Sequence, residues 1–496
     1  MTLWGKKLMT VLLCAAMGPL FMLGGCANSQ SDDGAGASDA STVSLVIDSE
    51  TARFLTNRAA MTRGRAANES LYLDVALKGD YTESKTETLS LDATDTTVSF
   101  DAVPVGKTIW VEARAYLEDE TEICSGKSDE TTVRASGNNI SVTMSIAPIY
   151  VAASGNANND GSRESPLGSI SQAVDGLSLL NYKGRYTIKI IGSLTTAQTI
   201  SSSLTTAKAA SLTIMGDSSE SKLDGNGNAS GSMLTITTQV PIIIKDLKIK
   251  GGTGYSGCGI KITNGGNVTI GSNASVSNNI ATPGVCQGAG VYVSNGSLIL
   301  DGGSISNNQN GSGVYLNGDN STFTMKAGEI SNNENEGPGG QGGGVYLDRG
   351  TFTMEGGSIT NNSCSYGGGV YTTDHGKFIM KGGTISGNQA INNGNGLFIS
   401  SDTTGFTISG SAYFSTDDWV YLDNDGGDNK VITIAGKLTN TQVATLSASW
   451  MHTYYGQLIL ILAEGANTTL ADECSKFTLT GGGVTKSILA DGKVSN

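Results

Sequence analysis

Residues 342–362 read Gly-Gly-Gly-Val-Tyr-Leu-Asp-Arg-Gly-Thr-Phe-Thr-Met-Glu-Gly-Gly-Ser-Ile-Thr-Asn-Asn, and the same pattern recurs on both sides of this stretch. Similar copies occupy residues 290–308, 313–333 and 369–388. The copies begin roughly 23 to 31 residues apart, which is the spacing of a repeat architecture. The repeat therefore predicts a solenoid in which each unit stacks on its neighbours.

Each copy contains three short apolar runs that are separated by Gly, Asn, Asp and Ser. Alternation of apolar and polar residues within the runs indicates three strands rather than helices. One unit cannot bury its own apolar face, so equivalent strands should stack about 4.8 Å apart. This predicts an all-β fold whose main part is a parallel β-helix. The Asn residues that end the third run suit a left-handed turn, and stacked copies of them could form a hydrogen-bonded ladder.

Two motifs within the repeat resemble those of a known family. Gly343-Gly344-Val345 and Ile359-Thr360-Asn361-Asn362 are similar to the Gly-Gly-apolar and Phe-x-x-Asn repeats of bacterial polymorphic outer-membrane proteins, with Ile in place of Phe. The resemblance covers residues 250–410 and implies a right-handed parallel β-helix on an adhesin-like surface protein. Such a motif specifies an architecture and not an activity.

Composition narrows the class of protein. The chain has 496 residues, a net charge of −14 and 68 glycines. Few charges with much Gly, Ser, Thr and Asn are typical of an extracellular β protein. The acidic balance argues against a nucleic-acid partner, because nucleic-acid-binding proteins present a basic face.

The first 26 residues have the pattern of a bacterial processing signal. Lys6 and Lys7 precede an apolar run, and Leu23-Gly24-Gly25-Cys26 follows it. This sequence resembles a lipobox, which implies cleavage before Cys26 and acylation of Cys26. The alternative is a transmembrane anchor with an incidental cysteine, but the apolar run is short for a span. Ala27 after the cysteine resembles outer-membrane sorting, so we expect an outer-membrane lipoprotein that is exposed at the cell surface.

Composition and periodicity divide the rest of the chain into five parts. The second part resembles fibronectin type III or transthyretin-like modules, and the third contains a helical pattern that could cap a solenoid. The predicted parts are a flexible tether (27–41), an antiparallel β-sandwich (42–147), an N-terminal cap (148–182), the right-handed parallel β-helix (183–415), and irregular strands with a C-terminal cap (416–496).

A group of polar residues that follow the first strand of successive repeats could support catalysis. Stacking should bring together the side chains of Asp319, Asp348, Arg349, Asp374 and His375. Acid, base and cation-binding roles could all be drawn from such a set. These residue types also suit turns, and no known lyase or glycosidase motif accompanies them. We therefore predict no catalytic site, with this set as the candidate if one exists.

Cofactor sites are weakly indicated. Asp423, Asp425 and Asp428 form an acidic loop that could bind Ca²⁺, although a plain Gly/Asn/Asp turn is the favoured interpretation. Cys258 and Cys286 precede equivalent strands, so a disulfide between them is conceivable and stays open. We predict no resident cofactor or metal, with Ca²⁺ as the candidate.

An aromatic residue recurs at one position of the first strand. Because strand side chains alternate between faces, apolar residues on either side have the stronger claim on the core. We expect the aromatic side chains to point outward and to form a stripe on which sugar rings could stack. An internal stack, or an external ladder that only stabilises the sheet, are the alternatives. The predicted ligand-binding residues are Tyr292, Tyr315, Tyr346, Tyr371 and Phe398, with Lys261 before them and Tyr421 after them.

These observations favour a non-enzymatic, lipid-anchored surface protein whose β-helix binds glycans or another surface ligand. The first alternative is a polysaccharide lyase or glycoside hydrolase on the same scaffold. The second is a structural spacer of the cell envelope without a ligand. The expected partners are the membrane, through the lipid anchor, and a glycan or host-surface ligand.

Overall fold

The computed structural model describes residues 40–47, 71–89, 96–117, 122–135, 138–140, 142–179, 183–255, 257–283, 288–335, 339–373, 375–400, 405–423, 431–448, 458–481 and 484–495. The predicted signal peptide, its Cys26 and the tether up to residue 39 lie outside these ranges. The described residues form two compact units: those up to residue 189 together with 204–212, and those of 190–203 together with the residues from 213 onwards.

The N-terminal part consists of two sheets built from short strands. A three-stranded sheet has the order β4-β1-β8, and a second sheet has the order β3-β2-β5-β6-β9 with β7 beside β5. The pairs are antiparallel except for β1 with β8. The strands are β1 (Ala40–Ile47), β2 (Leu71–Gly79), β3 (Glu83–Leu89), β4 (Thr96–Pro104), β5 (Thr108–Leu117), β6 (Glu122–Lys127), β7 (Thr131–Thr132), β8 (Asn138–Asn139) and β9 (Thr143–Ile146).

Each of these sheets buries one face, as expected for a sandwich. Alternate residues of β2 and β5 are almost inaccessible, for example Leu73, Val75 and Val111, and so are Val98 and Phe100 of β4. Alternation of apolar and polar residues along the chain marks these strands, whereas β3 and β6 lack a clean apolar alternation. β3 is polar on both sides and is fixed by backbone pairing to β2, whereas β6 contributes only Ile123 and Cys124 to the core.

The predicted amphipathic helix is present as α1 (Ile170–Leu179). The Ser169 hydroxyl accepts a hydrogen bond from the Gln172 N–H, and the Gln172 side chain accepts one from the Gly168 N–H. This reciprocal arrangement satisfies donors that a helix start leaves unpaired. Ile170, Ala173, Val174 and Leu177 are buried on one side, as their spacing predicted. The role of α1 as a cap remains a prediction.

The described helices are short. Besides α1 there is α2 (Leu470–Cys474). Within the described ranges, neither helix has the length and apolar character needed to cross a bilayer.

A right-handed parallel solenoid of about nine turns occupies residues 184–462. The remaining strands are those of the solenoid, one strand before residue 184 and two strands after residue 462. They are β10 (Ile149–Ala152), β11 (Gly184–Ile191), β12 (Ser193–Leu194), β13 (Gln198–Ile200), β14 (Ala209–Gly216), β15 (Lys222–Ser230), β16 (Leu234–Ile236), β17 (Pro241–Lys245), β18 (Lys248–Gly254), β19 (Ile260–Thr263), β20 (Asn267–Ile270), β21 (Ser275–Ser277), β22 (Ile280–Ala281), β23 (Val291–Ser294), β24 (Ser297–Ser306), β25 (Val314–Asn317), β26 (Thr322–Ser331), β27 (Glu334–Asn335), β28 (Val345–Leu347), β29 (Gly350–Met354), β30 (Ser358–Thr360), β31 (Ser363–Tyr366), β32 (Val370–Thr372), β33 (Gly376–Met380), β34 (Thr384–Ser386), β35 (Gln389–Asn393), β36 (Leu397–Ile399), β37 (Gly405–Gly410), β38 (Tyr413–Phe414), β39 (Val420–Leu422), β40 (Ile432–Leu438), β41 (Ala444–Ala448), β42 (Leu460–Leu462), β43 (Phe477–Gly481) and β44 (Val484–Lys486).

One strand of each coil belongs to a 12-stranded sheet that runs from β13 to β44, which we call the first face. From β15 onwards the other strands of each coil lie in a second parallel sheet, in which β24 and β26 continue around a corner of the coil. A small sheet of β27, β31 and β35 lies where the chain returns to the first face. Three runs per repeat thus become three sides of one coil, as the sequence predicted.

The coil interior is filled by columns of identical residues. Phe323, Phe352 and Phe378 stack in register with ring centroids 4.6 and 4.8 Å apart, and all three are inaccessible to solvent. Met325, Met354 and Met380 form the neighbouring column. The predicted stacking of equivalent strands is therefore confirmed, and aromatic pairs of this kind add to the stability gained from burial.

Consecutive Asn residues at the end of the third run have two different roles. The first residue adopts a left-handed conformation, as in Asn332, where φ is +53°. The second residue points inward and forms a ladder, in which Asn308 donates to the Asn333 side-chain oxygen at 2.8 Å and Asn333 donates to that of Asn362 at 2.9 Å. The ladder runs through the buried residues Asn279, Asn308, Asn333, Asn362 and Asn388 and ends at the carboxylate of Asp418.

The coils extend further than the sequence indicated. We expected the regular β-helix to end near residue 415, but β37, β40 and β42 continue in parallel register to Leu462. Inward residues such as Ile432, Ile434 and Leu460 stay apolar, although the Gly-Gly and Asn-Asn signatures are lost. The first face ends with β44, which runs antiparallel to β43 and so breaks the stacking pattern.

Candidate functional site

Equivalent positions on successive coils form a shallow depression at the corner between the first face and the next strand. Gly350 is in register with Gly376, and Thr351 with Lys377, so the residues before them also lie one coil apart. Together with Asp319 they surround about 470 Å³ of open space. We call this the corner depression, and its lining residues are Asp319, Arg349, Gly350, Thr351, His375 and Lys377.

The corner depression carries more positive than negative groups. An Arg349 guanidinium nitrogen lies 3.6 Å from an Asp319 carboxylate oxygen, and the Asp319 side chain is 72% exposed. A pair this accessible is weak and can be exchanged for another anion at little cost. His375 and Lys377 are exposed at the same corner, and His375 has a φ of +71°, a conformation that His adopts more readily than most residues.

Asp348 does not belong to this group. Its carboxylate accepts a hydrogen bond from the Tyr315 hydroxyl at 3.2 Å. Burial, with this nearby carboxylate, raises the pKa of the Tyr315 phenol. The expected cluster is therefore only partly formed, because Asp319, Arg349 and His375 meet whereas Asp348 is bound to the aromatic column. Asp374 lies outside the described residues. Lys377 was not part of the set predicted from the sequence. The repeat could have indicated it, because Lys377 follows Gly376 as Thr351 follows Gly350.

The aromatic residues of the first face form the predicted column. Tyr292, Tyr315, Tyr346 and Tyr371 pair in register with one another, and Phe398 and Tyr421 continue the column. Lys261 pairs with Tyr292 and places its ammonium 5.8 Å from that ring. The flanking Val and Leu side chains are inaccessible in the coil interior, so the rings occupy the opposite side of the strand.

The expected open stripe is nevertheless wrong for most of this column. Tyr315, Tyr371 and Phe398 are only 5–7% exposed, and Tyr421 is similarly buried. Neighbouring rings cover each other at centroid distances of 4.7 to 5.6 Å, and Tyr366 packs edge-on against Phe398. Only Tyr292 and Tyr346 are half-buried. The column is a second apolar core outside the coil, and the role of these residues in binding a ligand stays a prediction.

The structure describes only one of the three metal candidates. Asp423 follows β39, and Asp425 and Asp428 lie outside the described residues. No group of three or more potential ligands (His, Cys, Asp or Glu) that could hold a metal ion occurs in the part of the chain that the structure describes. Binding of Ca²⁺ by this loop stays a prediction.

The Cys258 side chain is a buried free thiol. It donates to the carbonyl oxygens of Gly254 and Ile280, and burial raises its pKa to about 11. The conceivable disulfide to Cys286 is therefore not formed, and Cys286 itself lies outside the described residues.

Comparison with known proteins supports the repeat and nothing finer. Residues 232–412 match the family model described as "Right handed beta helix region". Searches of the curated proteins and of the solved structures returned no match. The match covers the coils that carry both the corner depression and most of the aromatic column. It defines a right-handed β-helix repeat protein, a scaffold consistent with surface binding and with enzymatic activity alike.

Proposed function

We propose that this chain is a lipid-anchored cell-surface protein whose β-helix binds an acidic glycan at the corner depression. The observation that carries the proposal is the convergence of Arg349, His375 and Lys377 in one accessible depression of a protein whose net charge is −14. Local positive charge in an acidic surface selects for a ligand with anionic groups. Arginine in particular matches the geometry of a carboxylate or sulfate with two parallel hydrogen bonds.

The stacked coils also favour a chain-like ligand. Side chains from three successive coils line the depression, so their spacing follows the strand separation of about 4.8 Å. Asp319 pairs weakly with Arg349 and can accept hydrogen bonds from sugar hydroxyls once an anionic group takes its place. This mode of binding replaces the exposed aromatic stripe that the sequence suggested.

The lipid anchor rests on the sequence alone. Leu23-Gly24-Gly25-Cys26 follows a charged and apolar leader, and two or three acyl chains would hold the protein stably at a membrane. Replacing Cys26 with Ala should move the protein from the detergent phase to the aqueous phase in a partition assay. A Cys26→Ala protein that still enters the detergent phase would show that the anchor assignment is wrong.

The binding proposal is tested with the purified mature chain and a panel of oligosaccharides that contain uronate or sulfate groups, with neutral oligosaccharides for comparison. We expect binding of at least one acidic oligosaccharide, and a loss of about tenfold or more in affinity for Arg349→Ala. Lys326→Ala is the matched control, because Lys326 is an exposed cation outside the depression. Equal affinities of the two variants would place the site elsewhere, and no binding by any acidic oligosaccharide would favour an envelope spacer.

The same residues favour a second candidate, a polysaccharide lyase. Such an enzyme needs a group that stabilises a carboxylate and a base beside it, and Arg349, His375 and Lys377 offer both types. Release of an unsaturated sugar from an acidic glycan would identify this activity, and His375→Ala should then abolish the release. Binding without any release supports the non-enzymatic proposal.

A further inference from the structure

The outer face of the six-stranded sheet in the sandwich carries two similar groups of three side chains. In the first, the Tyr116 hydroxyl donates to Asp74 at 3.1 Å and the Arg114 guanidinium lies 4.7 Å from the Tyr116 ring centroid. In the second, the Trp110 ring N–H donates to Glu112 at 3.0 Å and the Lys127 ammonium lies 4.2 Å from the Trp110 ring. Each group thus combines an aromatic side chain, a carboxylate that accepts a hydrogen bond from that side chain, and a cation over the ring.

A depression of about 470 Å³ lies between the two groups. Its walls include Asp74, Glu112, Arg114 and Lys127, and its floor is formed by small residues such as Ala76 and Gly126. Trp110 and Tyr116 stand six residues apart on β5, which corresponds to about 20 Å along the strand. Both rings are half-buried and lie beyond the residues that line the depression, and Tyr116 also stacks on Tyr72 with ring centroids 5.7 Å apart.

The carboxylates of Asp74 and Glu112 are fixed by hydrogen bonds and can still accept further ones. Thr86 and Tyr116 both donate to the same oxygen of Asp74, Oδ1. Trp110 donates to Oε1 of Glu112. Neither set of bonds involves the second oxygen of its carboxylate, which can accept from a ligand hydroxyl. Side chains that are fixed before binding lose little entropy when a ligand arrives.

We infer that this face is a second binding site and that its ligand is an uncharged glycan chain with repeating units. The lining residues include three cations and two carboxylates, so their charges nearly cancel and do not select a polyanion. Partly exposed rings with fixed acceptors beside them suit sugars, which present apolar C–H faces and hydroxyl groups together. Two similar groups along one strand, the Tyr116 group extended by Tyr72, suit a ligand whose chemistry repeats.

A peptide fits this face less well. The depression lies over paired strands: β5 pairs with β2 along its length, and with β6 in unbroken register from Glu112 to Ala115. Backbone groups of the floor therefore already have partners within the sheet, and an added peptide strand would find none to pair with. Recognition has to come from the side chains, which is the mode that hydroxyl-rich ligands use.

The test uses the full mature chain and calorimetric titration with neutral hexasaccharides of glucose, mannose, xylose and N-acetylglucosamine. A hexasaccharide of galacturonic acid and a mixture of decapeptides serve as comparisons. We expect one neutral hexasaccharide to bind, with an affinity that Trp110→Ala lowers by about tenfold or more. Glu112→Gln should lower it less, because an amide oxygen can still accept from Trp110.

The matched control is Tyr255→Ala, which removes an aromatic residue that is 68% exposed on the solenoid. It should leave the affinity unchanged, and so should Arg349→Ala, which separates this site from the corner depression. Circular dichroism and thermal unfolding check that Trp110→Ala is folded. The inference would be overturned if Trp110→Ala left the affinity unchanged, or if the protein bound only peptides. It would also be overturned if the wild-type protein bound no neutral saccharide and Trp110→Ala merely lowered its stability. The last outcome would show that the two groups only stabilise the sheet.

Discussion

Two adjacent asparagines end the third run of the repeat. They are chemically identical, but their conformations and contacts differ. Asn332 has a positive φ, and its equivalent two coils later is Gly387 with a φ of +69°. Asn333 is buried and makes four side-chain hydrogen bonds: it accepts from the N–H and the amide of Asn308 and donates to Ile305 and Asn362. Conformation therefore matters at the first position, and hydrogen bonding at the second.

Glycine substitutions should separate these two roles. Asn332→Gly should change the free energy of unfolding by less than about 1 kcal/mol, because glycine adopts the left-handed conformation without strain. Asn333→Gly should cost about 3 kcal/mol or more, because it removes four buried side-chain hydrogen bonds, including the one that the Asn308 N–H donates. Urea unfolding of both variants measures the difference. Equal costs would mean that the ladder contributes little to stability.

The phenylalanine column gives a second prediction at this scale. Phe352 lies between two parallel rings and is inaccessible to solvent. Replacing it with Ala should lower the free energy of unfolding by about 3–5 kcal/mol, because a cavity remains between rings that cannot close around it. Thr353→Ala on the outer side of the same strand should cost less than about 1 kcal/mol. A similar cost for the two changes would contradict the register of the core.

Among the elements, the first face is unusual because both of its sides are covered over several coils. Tyr371, Phe398 and Tyr421 form an apolar cluster to which Tyr346 and Tyr366 add partly buried rings. Glycines are needed beside it, since a Cβ on Gly367 would come within 2.8 Å of the Cβ of Tyr371. The small residues before each first strand therefore allow the loop to cover the aromatic column.

This cluster should contribute to stability. Tyr371→Ser should lower the free energy of unfolding by about 3 kcal/mol, because it removes a buried ring from between two others. Tyr255→Ser, at a largely exposed ring, should change it by less than about 0.5 kcal/mol. Thermal and urea unfolding provide the comparison. If Tyr371→Ser proves neutral, the column is more accessible than its burial indicates and an open binding stripe becomes tenable again.

At the scale of the whole molecule, the stability of the C-terminal end of the solenoid depends on the ionised carboxylate of Glu473. Burial alone would raise the pKa of Glu473, but hydrogen bonds from Lys476, Thr468 and the Leu438 N–H outweigh it and hold the pKa below its ordinary value. The Lys476 ammonium lies 2.8 Å from the carboxylate. A lowered pKa in the folded state means that stability is present above the ordinary pKa of glutamate and declines as the pH falls below it.

Acid should therefore weaken this end of the solenoid. We expect the free energy of unfolding to fall as the pH drops below about 4.3, the ordinary pKa of glutamate. Glu473→Gln should cost about 1–3 kcal/mol at pH 7 and should make the decline shallower, because its amide does not titrate. Unfolding curves between neutral and acidic pH test this. An unchanged slope in Glu473→Gln would assign the acid sensitivity to other carboxylates, of which Asp224, held by Lys222 and Lys250, is one.

The sequence by itself determined the repeat, the three strands of each coil and the columns of Phe, Met and Asn. It could do so because a stacked fold places identical residues in contact, so the period along the chain is also the pattern of contacts. It also indicated the corner at which Asp319, Arg349 and His375 meet, since equivalent turn residues must lie one coil apart.

Only the tertiary structure decided how exposed each outward residue is. Alternation along a strand fixes the side on which a ring such as Tyr371 lies, but a loop from elsewhere in the coil determines whether that side is covered. The same holds for Asp348, which accepts a hydrogen bond from the Tyr315 hydroxyl and does not line the corner depression. It also holds for the polar strand β3, which is recognisable only from its pairing with β2. Such contacts depend on distances between turns and loops of irregular length, and a periodic sequence pattern carries no information about them.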